Sequence, residues 1–174
     1  LINHNEGTFM KIFLASPLGF AESTKGFLPV LCKELQRLGY EVVNPWEQSH
    51  DLEKEFQQAE SNSDLFAKRS EFHRISMRIA ERNANCLCSC DGVLAVLDGA
   101  DVDSGTASEI GYAFGLGNKV INGYRGDFRR AGENVGVLVN LQVQYWIEQS
   151  GGKIVTSIGE LSSLNFTWRD CIGV

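Results

Sequence analysis

Asp91-Gly-Val-Leu-Ala-Val-Leu-Asp-Gly99, running on into Asp103-Ser-Gly-Thr-Ala-Ser-Glu-Ile-Gly-Tyr-Ala113, decides the fold class. Val93 to Leu97 is a short apolar run rich in branched side chains, the pattern of a strand buried on both faces of a parallel sheet. A link holding Asp98, Asp101 and Asp103 follows it, and a helical period then covers residues 106–116 up to Gly117. Strand, acidic link and helix in that order form one half of a strand–helix–strand crossover.

The rest of the chain repeats the unit. Lys11-Ile-Phe-Leu-Ala15 reads as a strand stopped by the turn Ser16-Pro17-Leu18-Gly19. Residues 26–38 carry Phe27, Val30, Leu31, Leu35 and Leu38 at helical spacing. Glu41-Val-Val43 is a second strand, ended by Asn44-Pro45. Residues 49–63 are polar and read as a loop or a short exposed helix, and a helix is expected over residues 71–88. After the third strand and its helix, Lys119-Val-Ile121 is the fourth strand and residues 122–136 a glycine-rich, charged loop. Residues 139–148 are helical, Lys153-Ile-Val-Thr156 is the fifth strand, and a weak helix closes the pattern over 158–164. Strands separated by helices pair in parallel through right-handed crossovers. The expected architecture is therefore α/β: a doubly wound, five-stranded parallel sheet in a three-layer sandwich, order 2-1-3-4-5. One domain over residues 10–174 is expected, with residues 1–9 an extension.

Composition narrows the partners. The formal charge of −6 argues against a broad nucleic-acid footprint, which needs a positive face, and leaves a single nucleoside open. No apolar stretch approaches the roughly 20 residues of a membrane span, and no charged leader precedes an apolar segment, so a cytoplasmic location is expected. Cys86, Cys88 and Cys90 alternate, but zinc-site spacings and a nearby histidine are missing. They are expected to be reduced, buried thiols, and no metal site is expected. No G-x-G-x-x-G or Walker-type motif occurs, which removes most of the case for dinucleotide or triphosphate binding.

The chemistry is concentrated beyond the third strand, on the sheet edge where open α/β folds bind ligands. Thr106-Ala-Ser-Glu109 matches a capping box, which by itself makes Glu109 a structural residue. The acidic link is not needed for capping, and Gly99 and Gly105 permit tight turns around a ligand. A glutamate in the first turn of a helix has its anion stabilised, so Glu109 is expected to be ionised at neutral pH and suited to nucleophilic attack. A separate acid must then manage the leaving group's proton, and Asp103 is the nearest candidate. Arg125, Arg129 and Arg130, in the loop after the fourth strand, either hold a phosphate or pair with Asp127 and Glu133. Asn140 either caps the next helix or serves a ligand. Ser16 lacks a hydrolase context but can offer its hydroxyl to a ligand, and Trp46, just after the second strand, can stack on a base or pack.

Met10-Lys-Ile-Phe-Leu-Ala-Ser-Pro-Leu-Gly-Phe20, Asp91 to Gly99, Asp103 to Ala113 and Val139-Asn-Leu-Gln142, in that order, resemble the nucleoside 2-deoxyribosyltransferase family. The resemblance runs from about Met10 to Ser157. It implies a flavodoxin-like fold and transfer of 2-deoxyribose between nucleobases through a covalent deoxyribosyl enzyme, with retention of the β configuration. It implies no metal or organic cofactor. Glu109 matches the family's nucleophile and Asp103 the aspartate that contacts the base and helps proton transfer. Asn140 resembles the asparagine lent by a neighbouring subunit to the sugar 5′-hydroxyl, which implies a homodimer or higher homo-oligomer. Asp98, Gly105, Ser16 and Trp46 join the expected substrate-binding set. Two positions depart from the family pattern: Phe13 stands where a tyrosine is usual, and Asn83 where an aspartate handles the base proton. Phenylalanine cannot hydrogen-bond, and asparagine cannot deliver a proton by ionising. Two rivals follow. One is hydrolysis of 2′-deoxynucleoside 5′-monophosphates by the same carboxylate, with the arginines as phosphate ligands. The other is a nucleotide-binding scaffold with a degenerate site, motivated by Phe13 and Asn83.

Overall fold

The structure is a computed structural model and describes residues 9–168. Cys171 and the expected extension, apart from Phe9, lie outside these residues. Five strands form one parallel sheet: β1 (Met10–Ala15), β2 (Tyr40–Val43), β3 (Gly92–Val96), β4 (Val120–Tyr124) and β5 (Ile154–Val155), in the order β2-β1-β3-β4-β5. Every pairing is parallel, with Phe13 opposite Val93 and Ala95 opposite Gly123. This is the flavodoxin-like three-layer sandwich.

Alternation along the strands feeds two cores. Ile12, Leu14, Leu94 and Val96 face one way and meet Leu31 and Leu35 of α2 (Leu28–Arg37) together with Phe166. Phe13, Ala15, Val93 and Ala95 face the other way. They meet Leu87 of α4 (Leu65–Ser89), Ile110 and Ala113 of α5 (Ser104–Leu116), and Val143 and Ile147 of α6 (Leu141–Gln149). Both faces of β3 are covered, as its unbroken apolar run requires.

Several boundaries differ from expectation. The first helical region is split into a one-turn α1 (Glu22–Lys25) and α2. Of the two readings for residues 49–63 the short exposed helix holds: a 3₁₀ turn (Glu47–Leu52) leads into α3 (Glu53–Ser61). Helix α4 starts at Leu65, a turn and a half before the expected residue 71, because Asp64 caps it through Phe66 N at 2.9 Å and Ala67 N at 3.3 Å. α3 packs on α4 around Leu52, Ala59 and Ile75, and Glu55 pairs with both Arg74 and Arg78 at 2.7 Å. Strand β4 continues through Asn122-Gly123-Tyr124, where a loop is expected. Among the described residues no helix is long and apolar enough to cross a membrane.

Candidate active site

The acid pair is organised by the start of α5. Asp103 is its N-cap: the carboxylate accepts from Thr106 N at 3.0 Å and the carbonyl from Ala107 N at 2.8 Å. The expected cap at Thr106 is therefore corrected. Thr106 is the third helical residue and is buried. Glu109 consequently sits in the second turn, away from the free N–H groups, and does not reach back in a capping box. It is half-buried, and among the described residues no hydrogen-bond donor meets its carboxylate. Burial, and then the neighbouring Asp103 carboxylate, push its pKa up from 4.5 to about 7. The expectation of a fully ionised Glu109 fails for this reason: desolvation outweighs the helix dipole one turn further in. Gly105 lies against the cap, and a Cβ there would stand 3.0 Å from Asp103 Oδ2.

The link preceding α5 is tied down in its first half. Leu97 N donates to Tyr124 O at 2.8 Å. Asp98 Oδ1 accepts from Asp127 N at 2.8 Å. Arg125, 3% exposed, places Nη1 on Leu97 O and Nη2 on Gly99 O (3.0 Å) and Arg129 O (2.6 Å). It is thus turned inward and does not present itself to a phosphate, contrary to one of the two expectations. Arg129 holds Asp127, keeping that carboxyl well below the usual range, and Arg130 donates to Val135 O at 2.6 Å. Glu133 pairs with neither arginine. Its carboxylate accepts from Asn140 Nδ2 and from Leu141 N, both at 2.9 Å. Asn140 caps α6, accepting from Gln142 N at 3.0 Å and Val143 N at 3.3 Å.

A cleft of about 730 Å³ opens over the carboxyl ends of β1 and β2. Phe20, Leu28, Trp46, Phe56 and Ile79 give it apolar walls, and Lys25, Asn44, Glu47 and Asn83 are among its polar groups. Trp46 donates its indole N–H to Ser16 O at 2.9 Å and meets Phe20 edge-on at 4.6 Å between centroids. Its ring lies so close over Gly19 that an added Cβ would fall on the ring atoms, so this wall requires glycine. The Ser16 hydroxyl accepts from Leu18 N at 3.2 Å and shapes the turn.

Trp46 and Asn83 are thus brought together on one cleft, while Asp103 and Glu109 lie past the end of the adjacent β3 and do not line it. Phe13 is wholly buried in the core under α5, so its ring packs behind the site rather than facing a ligand. Phe20, Phe56 and Ile79 were not legible as site residues, because aromatic and branched residues at such spacing carry no mark that separates a cleft wall from a core.

The cysteines differ from the expectation of uniform burial. Cys90 and Cys32 are buried, with thiols pushed up to about 11 by desolvation. Cys86 is half-buried, and Cys88 is exposed with its sulfur 3.0 Å from the Tyr112 hydroxyl. Among the described residues no group of three or more potential ligands could hold a metal ion.

A family model described as nucleoside 2-deoxyribosyltransferase matches residues 12–142. No curated protein matches the chain. Among solved structures, a conserved protein from Enterococcus faecalis V583 is 23% identical with a TM-score of 0.65, over 90% of this chain and 96% of its own. The 2-deoxyribosyltransferase of Bacillus psychrosaccharolyticus is 16% identical with a TM-score of 0.63, over 91% and 98%. A CMP N-glycosidase from Clostridium botulinum is 19% identical with a TM-score of 0.51, over 88% and 96%. At these identities the structural likenesses establish the fold.

Proposed function

The chain belongs to the nucleoside 2-deoxyribosyltransferase family, and from that premise we propose that it transfers 2-deoxyribose between nucleobases through a deoxyribosyl ester on Glu109. The observation that carries this reading is the state of the acid pair. Glu109, half-buried beside Asp103 and raised to about 7, lets the pair hold one proton at neutral pH, as close carboxylate pairs do.

One proton is what the first half-reaction consumes. The base binds near Asp103 and extends towards the cleft lined by Asn83 and Trp46, and the sugar C1′ lies over Glu109. As the C1′–N bond breaks, its electron pair goes to the base nitrogen. The proton of the pair passes by way of Asp103 to that base, and the freed Glu109 carboxylate forms the bond to C1′. A second base then attacks C1′ from the vacated side and returns its proton to the pair. Two inversions retain the β configuration, the logic of a retaining glycosidase with a base in place of water. No step calls for a metal or organic cofactor.

Asn140 serves a neighbouring subunit's sugar in this reading, and the chain works as a homodimer or larger homo-oligomer. An outer face of α5 and α6 that exposes Tyr112, Leu116, Leu141 and Tyr145 supports self-association. The ligands are small: a deoxynucleoside and a nucleobase, with no nucleic acid polymer or membrane involved. The hydrolytic alternative on 5′-monophosphates loses support, since Arg125, Arg129 and Arg130 all have protein partners. Product release without an acceptor base, dependent on the 5′-phosphate, would restore it. Tight binding without turnover would instead favour the scaffold reading.

The test is trapping with a 2′-fluoro-2′-deoxynucleoside, followed by peptide mass spectrometry. An adduct on Glu109 is expected. Absence of that adduct, together with full turnover by Glu109→Ala, would sink the assignment.

A further inference from the structure

Arg125 is buried and makes no direct ion pair at its guanidinium, although its charge reaches the Asp127 carboxyl, and the proposed reaction does not use it. Its guanidinium is spent on backbone carbonyls: Leu97 O, Gly99 O at 3.0 Å and Arg129 O at 2.6 Å. Its own backbone N–H is fixed to Val155 O at 2.8 Å, so the residue is anchored to β5 while its side chain reaches across the end of β3. Burying a guanidinium costs several kcal/mol unless its donors are matched, and an apolar residue of similar volume is often no worse for stability. A requirement for a defined backbone path explains such a residue better than a requirement for stability.

The path in question is the link from Leu97 to Asp103. Leu97 is held on both sides, by Tyr124 O at its N–H and by Arg125 at its carbonyl. Asp98 is held through Asp127 N, and Gly99 again through Arg125. Four residues further on, Asp103 caps α5 and fixes where Glu109 stands. The only other buried basic side chain among the described residues, Lys119, also grips carbonyls, those of Cys88 and Cys90, but at the end of α4. It offers the same kind of bond remote from the link.

We propose that Arg125 is a positioning residue that sets the register of Asp103 and Glu109 against the substrate by clamping the carbonyls of Leu97 and Gly99. The inference rests on Glu109 and Asp103 being the reacting pair. Lysine at position 125 keeps the charge, but its donors radiate from one compact ammonium and do not span the three carbonyls that the planar guanidinium reaches.

The experiment measures deoxyribosyl transfer from a deoxynucleoside to a free base for Arg125→Lys, Arg125→Ala, Asp98→Ala and Lys119→Met, alongside thermal unfolding. A displacement of about 1 Å at the reacting pair costs about 100-fold. Arg125→Lys is therefore expected to lose about 100-fold in kcat with KM changed less than about threefold. Methylguanidinium is expected to restore part of the activity of Arg125→Ala. Asp98→Ala, which loosens the same link and retains the buried charge, is expected to lower kcat in the same direction. Lys119→Met is expected to lose stability and keep kcat. If Arg125→Lys and Asp98→Ala both retain kcat, the inference is overturned. It is equally overturned if Lys119→Met loses as much kcat as Arg125→Lys at equal stability. Should Arg125→Ala fail to fold, Arg125→Lys and its kcat-against-KM split decide. A trapped Glu109 adduct combined with normal Arg125→Lys turnover would refute the clamp and spare the reaction. Full activity of Glu109→Ala would refute the reaction itself.

Discussion

Replacing Glu109 by glutamine is expected to abolish transfer and, above neutral pH, to stabilise the fold. The folded-state pKa of about 7 lies above the ordinary 4.5, with burial the larger cause and Asp103 the smaller. Moving a carboxyl by that interval corresponds to about 3 kcal/mol of preference for its neutral form. Below pH 4.5 both folded and unfolded chains hold the proton, and Glu109 contributes nothing to the balance. Between 4.5 and about 7 the unfolded chain releases it while the folded chain keeps it. The unfolded state then binds fewer protons, so stability falls as pH rises. Above about 7 the folded chain carries a carboxylate where its surroundings oppose one, and the full penalty is present.

Glutamine has nearly the same shape and does not titrate. The variant should therefore match the parent below about pH 4, exceed it slightly at pH 5 and exceed it at pH 8 by up to about 3 kcal/mol. For a chain of this size each kcal/mol moves Tm by about 2–4 °C, so a gain of several degrees at pH 8 is measurable by scanning calorimetry at both pH values. An equal Tm difference at pH 5 and pH 8, or a less stable variant at pH 8, would refute the claim that burial sets the protonation of Glu109. A carboxylate that weakens the fold at its working pH is the kind of residue retained for chemistry and not for stability.

If the pair must enter with one proton, kcat/KM falls as pH rises through about 7, and Asp103→Asn shifts that midpoint down towards 4.5 while leaving it above, because burial is the larger cause. A kcat/KM that instead rises through pH 7 would contradict the one-proton scheme. Gly19→Ala forces a Cβ into the Trp46 ring and should cost about 1–3 kcal/mol; the indole emission should shift, and KM for the acceptor base should rise more than kcat falls. Asn140→Ala removes the cap of α6, worth about 1 kcal/mol. Mixed with Glu109→Ala, itself inactive, it should regain activity through hybrid oligomers that contain one intact site, and mixing that yields none would argue against a lent asparagine.

The five strands and their order were legible because buried parallel strands write themselves as short branched runs, and the links between them leave few arrangements. β4 was cut short at Ile121 because Asn122-Gly123-Tyr124 has the composition of a turn. In the sheet each of those residues has a partner the local sequence does not display. Asn122 donates to Asn165 O and accepts from Lys153 N, both at 3.0 Å. Gly123 fits where a Cβ would strike Leu97 and Ile154, and Tyr124 packs in the first core. α3 was legible only as one of two readings, loop or short exposed helix, for the opposite reason: it buries only Ala59, so its apolar period is faint. The fate of Arg125 was not legible at all. Its chain neighbours suggest an exposed basic loop, and only the parallel register of β3 and β4 puts it under the link.

The acid pair shows how a small shift of frame changes chemistry. Asp103-Ser-Gly-Thr106 and Thr106-Ala-Ser-Glu109 are both acceptable starts for the same helix, three residues apart, and local propensity barely separates them. Tertiary structure chooses the earlier one, because it buries Thr106 with Ile110 and Ala113 against the sheet. That choice moves Glu109 from the first turn to the second. In the first turn it would face unpaired N–H groups and be held as an anion. In the second turn those groups are spent within the helix, the side chain is desolvated, and the carboxylate that took the cap now repels it. Asp103 takes the place at the helix terminus and Glu109 takes the proton. Two acids six residues apart are thereby given different surroundings: Asp103 is bound at the helix terminus, while Glu109 is desolvated and its pKa rises to about 7.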